Sequence, residues 1–184
     1  EALRMAFFQV VTICTTTGFA TADTSVWPAF SILILIYLSI QGACSGSTTG
    51  GLKVDRVLIL YKTLKAQLVK LQHPSSVVQI KVGDRRIESD VILGVALFAS
   101  LYLFVIVFGA IVVAAFGLDF TDAITSSISM IANIGPAFGS CGSLENYSHF
   151  PGAVRFFFSL QMLFGRLEIY PILVMFSIFR IRRR

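Results

Sequence analysis

Long uncharged stretches organise this chain. The clearest covers residues 91–116, without one charge. About 20 apolar residues cross a bilayer core as a helix, so this stretch spans with some tilt. Residues 27–52 are uncharged as well. Their first part, PAFSILILIYLSI, is apolar; the second, QGACSGSTTGGL, is small and polar. A third candidate span, over about 152–179, carries Arg166 and Glu168. Two shorter apolar stretches, residues 5–17 and 123–134, cannot cross a bilayer but suit re-entrant half-helices. The pattern predicts an all-α integral membrane protein.

Composition agrees. Of 184 residues, 55% are hydrophobic and 14% charged, against about 25% charged in ordinary soluble domains. Mean hydropathy is +0.81. The net charge of +5 is unevenly placed. Eight of the 15 Lys and Arg residues lie within 53–86, and four more within 180–184. The positive-inside rule puts both clusters in the cytoplasm. The opposite loops hold Asp23, Asp119, Asp122 and Glu145. They read either as an acidic mouth that concentrates cations or as ordinary solvated charge. Cys14, Cys44 and Cys141 make no disulfide framework. The chain starts with Glu1 and reads as a piece of a larger membrane protein.

A repeat of pattern runs through the chain. One unit has a short apolar segment, TTTGF (15–19), a loop ending in Trp27-Pro28, and a long segment with Gly42. The other has a short apolar segment, NIGPAF (133–138), a loop ending in Phe150-Pro151, and a long segment with Gly165. Pro28 to Gly42 and Pro151 to Gly165 are both 14 residues; the preceding loops differ, Gly18 to Pro28 being 10 and Gly135 to Pro151 being 16. Each proline suits the start of a spanning helix, where its missing N–H costs nothing. The full unit is outer helix, half-helix, glycine strip and inner helix. Only the second unit has its outer helix. The expected organisation is 1–62 for the first half-helix, strip and glycine-broken inner helix, 63–90 for a cytoplasmic connection, and 91–184 for the complete second unit.

Non-helical backbone survives at membrane depth only inside protein or along a watery cavity. A half-helix running into a glycine strip suits cation selection. The helix aims its negative C-terminal end at the pore centre, and strip carbonyls replace the ion's hydration shell. Glycine allows the backbone angles this needs. Thr16-Thr17-Gly18-Phe19 reads like the Thr-Val-Gly-Tyr strip of potassium channels, and Asn133-Ile134-Gly135-Pro136 is a looser copy. In the long segment, Gly42, Gly46, Gly50 and Gly51 alternate with Ser45, Ser47, Thr48 and Thr49. Gly costs about 1 kcal/mol against Ala in a helix, so the helix is expected to break here; close helix packing by small residues is the other reading. Arg166, half-way along its span, is expected to be buried against the bundle interior or pore water, unless it forms a structural pair or snorkels. The basic amphipathic stretch 53–70 is either a solvated end or a docking surface.

Other chemistry finds less support. Gly42-Ala43-Cys44-Ser45-Gly46 resembles a nucleophile elbow, the basis of an intramembrane-protease reading. That reading needs a nearby base, and His73 and His149 fall in loops on opposite sides. Gly46 and Gly51 have phosphate-loop spacing, but Leu52 replaces the lysine. No Cys/His spacing suits a metal.

The chain resembles the C-terminal half of bacterial Trk-type potassium transporter membrane subunits, of the Trk/Ktr/HKT superfamily. The matching stretches are QVVTICTTTGFATAD (9–23), GSTTGGLKVDRVLIL (46–60), His73-Pro74 with IKVG (80–83), NIGPAFG (133–139) and MLFGRLEIYPILVMF (162–176). The first and last look more like the Trk than the Ktr branch, a Na-dependent Ktr-like subunit being the alternative. The final IRRR departs from the family pattern. The resemblance implies four units around one pseudo-fourfold pore, of which this chain holds two. It implies K⁺ uptake by a multi-pass protein of the bacterial inner membrane. It implies K⁺ coordination at Thr16, Thr17, Asn133 and Ile134, within strips 16–19 and 133–136. It also implies a gate made by the glycine loop and Arg166, just inside the filter. The implied partners are the lipid bilayer, a second copy in a homodimer, and a cytoplasmic nucleotide-binding regulatory subunit. Neither a covalent cofactor nor nucleic acid is expected.

Overall fold

A computed structural model describes residues 1–43, 46–47, 49–73, 79–83 and 85–167. Its helices are α1 (Ala2–Cys14), α2 (Ala29–Ile40), α3 (Val54–Gln72), α4 (Ser89–Ala115), α5 (Phe120–Ala132) and α6 (Gly152–Arg166). Four two-residue strands join them: β1 (Gln41–Gly42), β2 (Leu52–Lys53), β3 (Lys81–Val82) and β4 (Arg85–Arg86). These small strands are additions to the expected all-α architecture.

Helix α4 has 27 residues, about 40 Å at 1.5 Å per residue, and is long and apolar enough to cross a membrane. Val95, Phe98, Tyr102, Ile106, Gly109 and Val113 form its buried stripe. Leu93, Leu97, Phe104, Val107, Phe108 and Ile111 are exposed on other faces. A helix apolar all round is at home inside protein or against lipid.

Helix α5 lies at the centre, packed against α4, α6 and α2. It is buried from Asp122 to Ala132 except at the half-buried Ile124. Its hydroxyls find partners inside the bundle. Ser127 Oγ donates to the Ile106 carbonyl at 2.8 Å and accepts from Gln161 Nε2 at 2.6 Å. Gly109 makes this knot possible, because a Cβ there would overlap both the Gln161 amide and the Ser127 hydroxyl.

Helices α1 and α5 begin and end a few residues before the short apolar stretches 5–17 and 123–134 do. Thr15 to Thr17, Asn133 and Ile134 extend the apolar pattern but belong to the loops. The candidate span 27–52 is helical only over Ala29–Ile40. Gln41 is extended, and Gln41-Gly42 pairs in parallel with Leu52-Lys53. The glycine-rich segment is therefore a loop pinched shut at its base, and the chain resumes as α3. Pro28 and Pro151 cap α2 and α6. The third candidate span is helical over Gly152–Arg166; Glu168 and the basic cluster 180–184 lie outside the described residues.

Candidate functional site

Helices α1 and α5 end in the same way. After α1, the Thr16 N–H donates to the Ile13 carbonyl at 3.1 Å and the Thr17 N–H to Thr12 at 2.9 Å. After α5, the Asn133 N–H donates to Met130 at 3.1 Å and the Ile134 N–H to Ser129 at 3.0 Å. Both are the paired bonds of a Schellman cap, which needs a left-handed residue just past the helix. Thr16 (φ 51°) and Asn133 (φ 59°) supply it, and they are the two non-glycine residues with positive φ among those described. Asparagine tolerates this conformation, whereas a β-branched threonine is a genuine outlier. Such strain costs of order 1–3 kcal/mol and clusters at functional sites. Two residues on, Gly18 (φ 79°) and Gly135 (φ 105°) are left-handed again. Thr16-Thr17-Gly18 and Asn133-Ile134-Gly135 thus share one alternation of backbone handedness.

The strips also touch. A Cβ on Gly18 would overlap the Ile134 carbonyl oxygen and stand 3.5 Å from Pro136 Cδ. Beside this contact is a cavity of about 20 Å³, lined by Gln9, Thr12, Ile134 and Ser143 among others. Thr12 Oγ1 is buried there without a hydrogen-bond partner. Phe19, at the end of the first strip, is exposed. The loops above are stapled together. Ser143 Oγ donates to the Ala22 carbonyl at 3.0 Å and accepts from the Thr24 N–H at 3.1 Å. Gln9 Nε2 reaches the same Ala22 carbonyl at 3.0 Å.

The second strip is braced by side chains that sequence reasoning did not single out. Ser129 Oγ donates to the Pro136 carbonyl at 2.6 Å, and the Tyr147 hydroxyl to the Gly135 carbonyl at 2.6 Å. Thr125 Oγ1 bonds the Phe138 carbonyl at 2.8 Å, and Asn133 Nδ2 the Met162 carbonyl at 3.1 Å. Asp122 is 7% exposed. Its carboxylate accepts the Ser140 N–H at 2.8 Å and the Ser140 hydroxyl at 2.5 Å. It also fills the space where Gly139 would carry a Cβ. Asp122 is therefore a loop clamp and not a free charge of an acidic mouth, because burial has committed it to Ser140. Asp119 and Glu145 are exposed. At Asp23, the Ser25 hydroxyl and N–H hold the carboxyl below its ordinary pKa. The signal in the sequence was the run of polar residues in α5, of which Asp122, Thr125 and Ser129 fall on one face at helical spacing.

The glycine loop lies against the carbonyl end of α5. A Cβ on Gly50 would come within 2.6 Å of the Ala132 oxygen and 3.1 Å of the Ile131 oxygen. Gly165 abuts the same carbonyl end: a Cβ there would overlap the Ile131 oxygen and come within 2.8 Å of Asn133 Nδ2. Gly42 instead meets Gly50 of its own loop. The glycines at matching distances after Pro28 and Pro151 thus make different contacts, because the parallel bridge at Gln41-Gly42 turns the first segment back on itself. Gly51 is left-handed (φ 84°), and Ser47 Oγ and Thr49 Oγ1 are 2.6 Å apart. Gly46 is exposed, with open space around it. Cys44, Ser45 and Thr48 lie outside the described residues. Arg166 closes α6 and is exposed. The reason is helical geometry: Gly165 holds the buried face, and the next residue turns about 100° away from it.

His149 Nε2 lies 3.0 Å from Ser140 Oγ, but that hydroxyl is already engaged with Asp122. Serine stands between acid and imidazole, so nothing in this trio orients a base for a nucleophile. No group of His, Cys, Asp and Glu able to hold a metal occurs among the described residues.

Comparison with known proteins accords with this architecture. The family model described as "TrkH: Cation transport protein" matches residues 1–181. The Trk system potassium uptake protein TrkH of Salmonella typhimurium is 37% identical over 175 residues, covering 95% of this chain and 36% of the relative. TrkG of Escherichia coli K12, named likewise as a Trk system potassium uptake protein, is 34% identical over 172 residues, covering 94% and 35%. The crystal structure of the potassium transporter TrkH from Vibrio parahaemolyticus superposes with a TM-score of 0.85 at 35% identity, over 93% of this chain and 36% of that one. The chain spans about a third of the length of these relatives, whose names are those of ion transporters and not of enzymes. With the family pattern running through residues 1–181, the chain belongs to the TrkH cation transport protein family.

Proposed function

We propose that this chain supplies two of four units of a pseudo-fourfold, K⁺-selective pore for potassium uptake across the bacterial inner membrane. The observation that carries this reading is the matched pair of caps. Two half-helices end in the same left-handed turn and lead into two strips that meet at Gly18 and Ile134. The α1 and α5 dipoles favour a cation near their C-terminal ends. In this reading, carbonyls of Thr16, Thr17, Asn133 and Ile134 replace its hydration shell, and Gly18, Phe19, Gly135 and Pro136 complete the strips.

The glycine loop supports a gating role for Gly42, Ser45, Gly46, Ser47, Thr48, Thr49, Gly50 and Gly51. Gly50 sits at the carbonyl end of α5, where an ion leaving the second strip would next arrive. Arg166, exposed beside the buried Gly165, would add a positive barrier at the same level. Two unit charges 4 Å apart repel by about 4 kcal/mol at an effective dielectric of 20, a ceiling of roughly a thousandfold in rate.

The surface supports the wider assembly. Leu3, Phe7 and Val11 of α1 are exposed; Ile128, which occupies the place of Val11 in the second cap and half-helix, is buried under α4. A preceding outer helix of the first unit would cover α1 as α4 covers α5. Helix α3 bears exposed Tyr61, Leu64, Leu68 and Leu71 beside Lys62, Lys65 and Lys70. This fits docking of a cytoplasmic nucleotide-binding regulatory subunit. A homodimer is part of the same proposal. Rubidium uptake by vesicles containing the full-length protein tests the function. Competition by K⁺ but not by equal Na⁺ is expected; equal competition by both ions contradicts it.

A further inference from the structure

We infer that Tyr147 is a positioning residue for ion selectivity, holding the second strip in its left-handed course through the Gly135 carbonyl. This rests on the reading of residues 133–136 as a filter strip. The Tyr147 hydroxyl donates to that carbonyl at 2.6 Å. The ring is fixed independently by Phe150 and Phe158, with centroids 5.6 Å and 5.7 Å away. The donor therefore approaches on a rigid arm anchored in the loop and in α6.

The bond acts where the backbone is easiest to turn. Gly135 has φ 105° with open space where a side chain would stand, so sterics do not confine it. The next residue is Pro136, which has no N–H to hold the joining peptide plane. Two hydroxyls do so instead: Tyr147 on the Gly135 oxygen and Ser129 on the Pro136 oxygen. With the Gly135 oxygen engaged by Tyr147, the Gly135–Pro136 plane is held, which narrows the swing open to the preceding Ile134 carbonyl. That carbonyl is the one touching Gly18.

Among the described residues, the first strip has no such pair of hydroxyls on its carbonyls. Thr12 holds the place in its cap that Ser129 holds in the second, and Thr12 Oγ1 is buried without a partner. Thr24 lies as far before Pro28 as Tyr147 lies before Pro151, but its hydrogen bonds go to Ser143. The longer second loop thus brings a brace without a counterpart among the described residues around the first strip. The first strip leans on the second through Gly18, so the brace serves both.

The test is Tyr147→Phe in the full-length protein, beside Gly18→Ser. Phenylalanine removes the hydroxyl and leaves the ring contacts. The inhibition of rubidium uptake by K⁺ relative to Na⁺ should fall roughly threefold to tenfold in Tyr147→Phe, the scale of one hydrogen bond. In purified protein, the excess thermal protection by K⁺ over Na⁺ should narrow in parallel, a readout that does not depend on membrane insertion. If Gly18→Ser lowers the ratio and Tyr147→Phe leaves it unchanged, the tyrosine is structural packing only and the inference fails alone. If neither variant changes it, the filter reading fails and takes the inference with it. Reduced total uptake at an unchanged ratio in Tyr147→Phe also overturns the positioning role.

Discussion

The carbonyl oxygen of Ile134 fills the space that a Cβ would need on Gly18. This contact joins the two strips, and it ranks the two strip glycines. Gly18 is constrained by both its φ and its neighbour; Gly135 is constrained by φ alone. Left-handed backbone costs a non-glycine residue about 1–2 kcal/mol. Gly18→Ala should therefore destabilise the full-length protein more than Gly135→Ala, which should lose about that amount. Thermal unfolding in detergent measures the difference, and the reverse ranking would contradict the contact.

The glycines around the carbonyl end of α5 make a second contrast. Gly165→Ala and Gly50→Ala would drive a methyl into the Ile131 and Ala132 carbonyls. Backbone offers no flexible end to move aside, and overpacking of this kind costs about 1–3 kcal/mol. Gly46→Ala meets nothing. Lower melting temperatures are expected for the first two variants and little change for the third. A large loss in Gly46→Ala would mean that the loop packs differently.

Asp122 should behave as a structural clamp. Hydrogen bonds to charged groups contribute about 1.5–3 kcal/mol, and Asp122 receives two from Ser140. Asp122→Ala should cost about that range and expose Cys141, which is 1% accessible and whose thiol burial pushes up to about 11. Wild-type Cys141 should resist maleimide at neutral pH, and the variant should label. Ready labelling of the wild type would contradict the packed loop.

Arg166 divides barrier from scaffold. In the proposed gate its positive charge opposes the passage of cations, so Arg166→Ala should raise K⁺ flux in reconstituted vesicles while selectivity persists. A loop shortened between Ser45 and Thr49 should act in the same direction. Lower flux from correctly folded Arg166→Ala protein would make the arginine a structural or attractive element.

Much of this arrangement was legible because it depends on local chain physics. An uncharged run long enough to cross a bilayer marked α4, and glycines and hydroxyls too poor for a helix marked the break after Ile40. The strips were legible from Gly18 and Gly135. Their shared handedness was not, since nothing local announces a threonine with positive φ at residue 16. Long-range relations also stayed hidden. That Gly50 would meet α5 follows from the parallel bridge between Gln41 and Leu52, which spans the whole loop. That Asp122 would be buried depends on Ser140, brought back by the turn at Gly139. The exposure of Arg166 follows from which face of α6 Gly165 buries, and a charge pattern alone does not reveal that face.

The central claim is that Gly18 and Gly135 belong to two strips of one K⁺ filter. The most direct measurement is rubidium uptake by full-length protein carrying Gly18→Ser or Gly135→Ser, competed by K⁺ and by Na⁺ and normalised to protein in the membrane. Each serine places a side chain on left-handed backbone and re-aims the neighbouring carbonyls, so preference for K⁺ over Na⁺ should fall in both variants. An unchanged preference in both, at normal expression, would contradict the account.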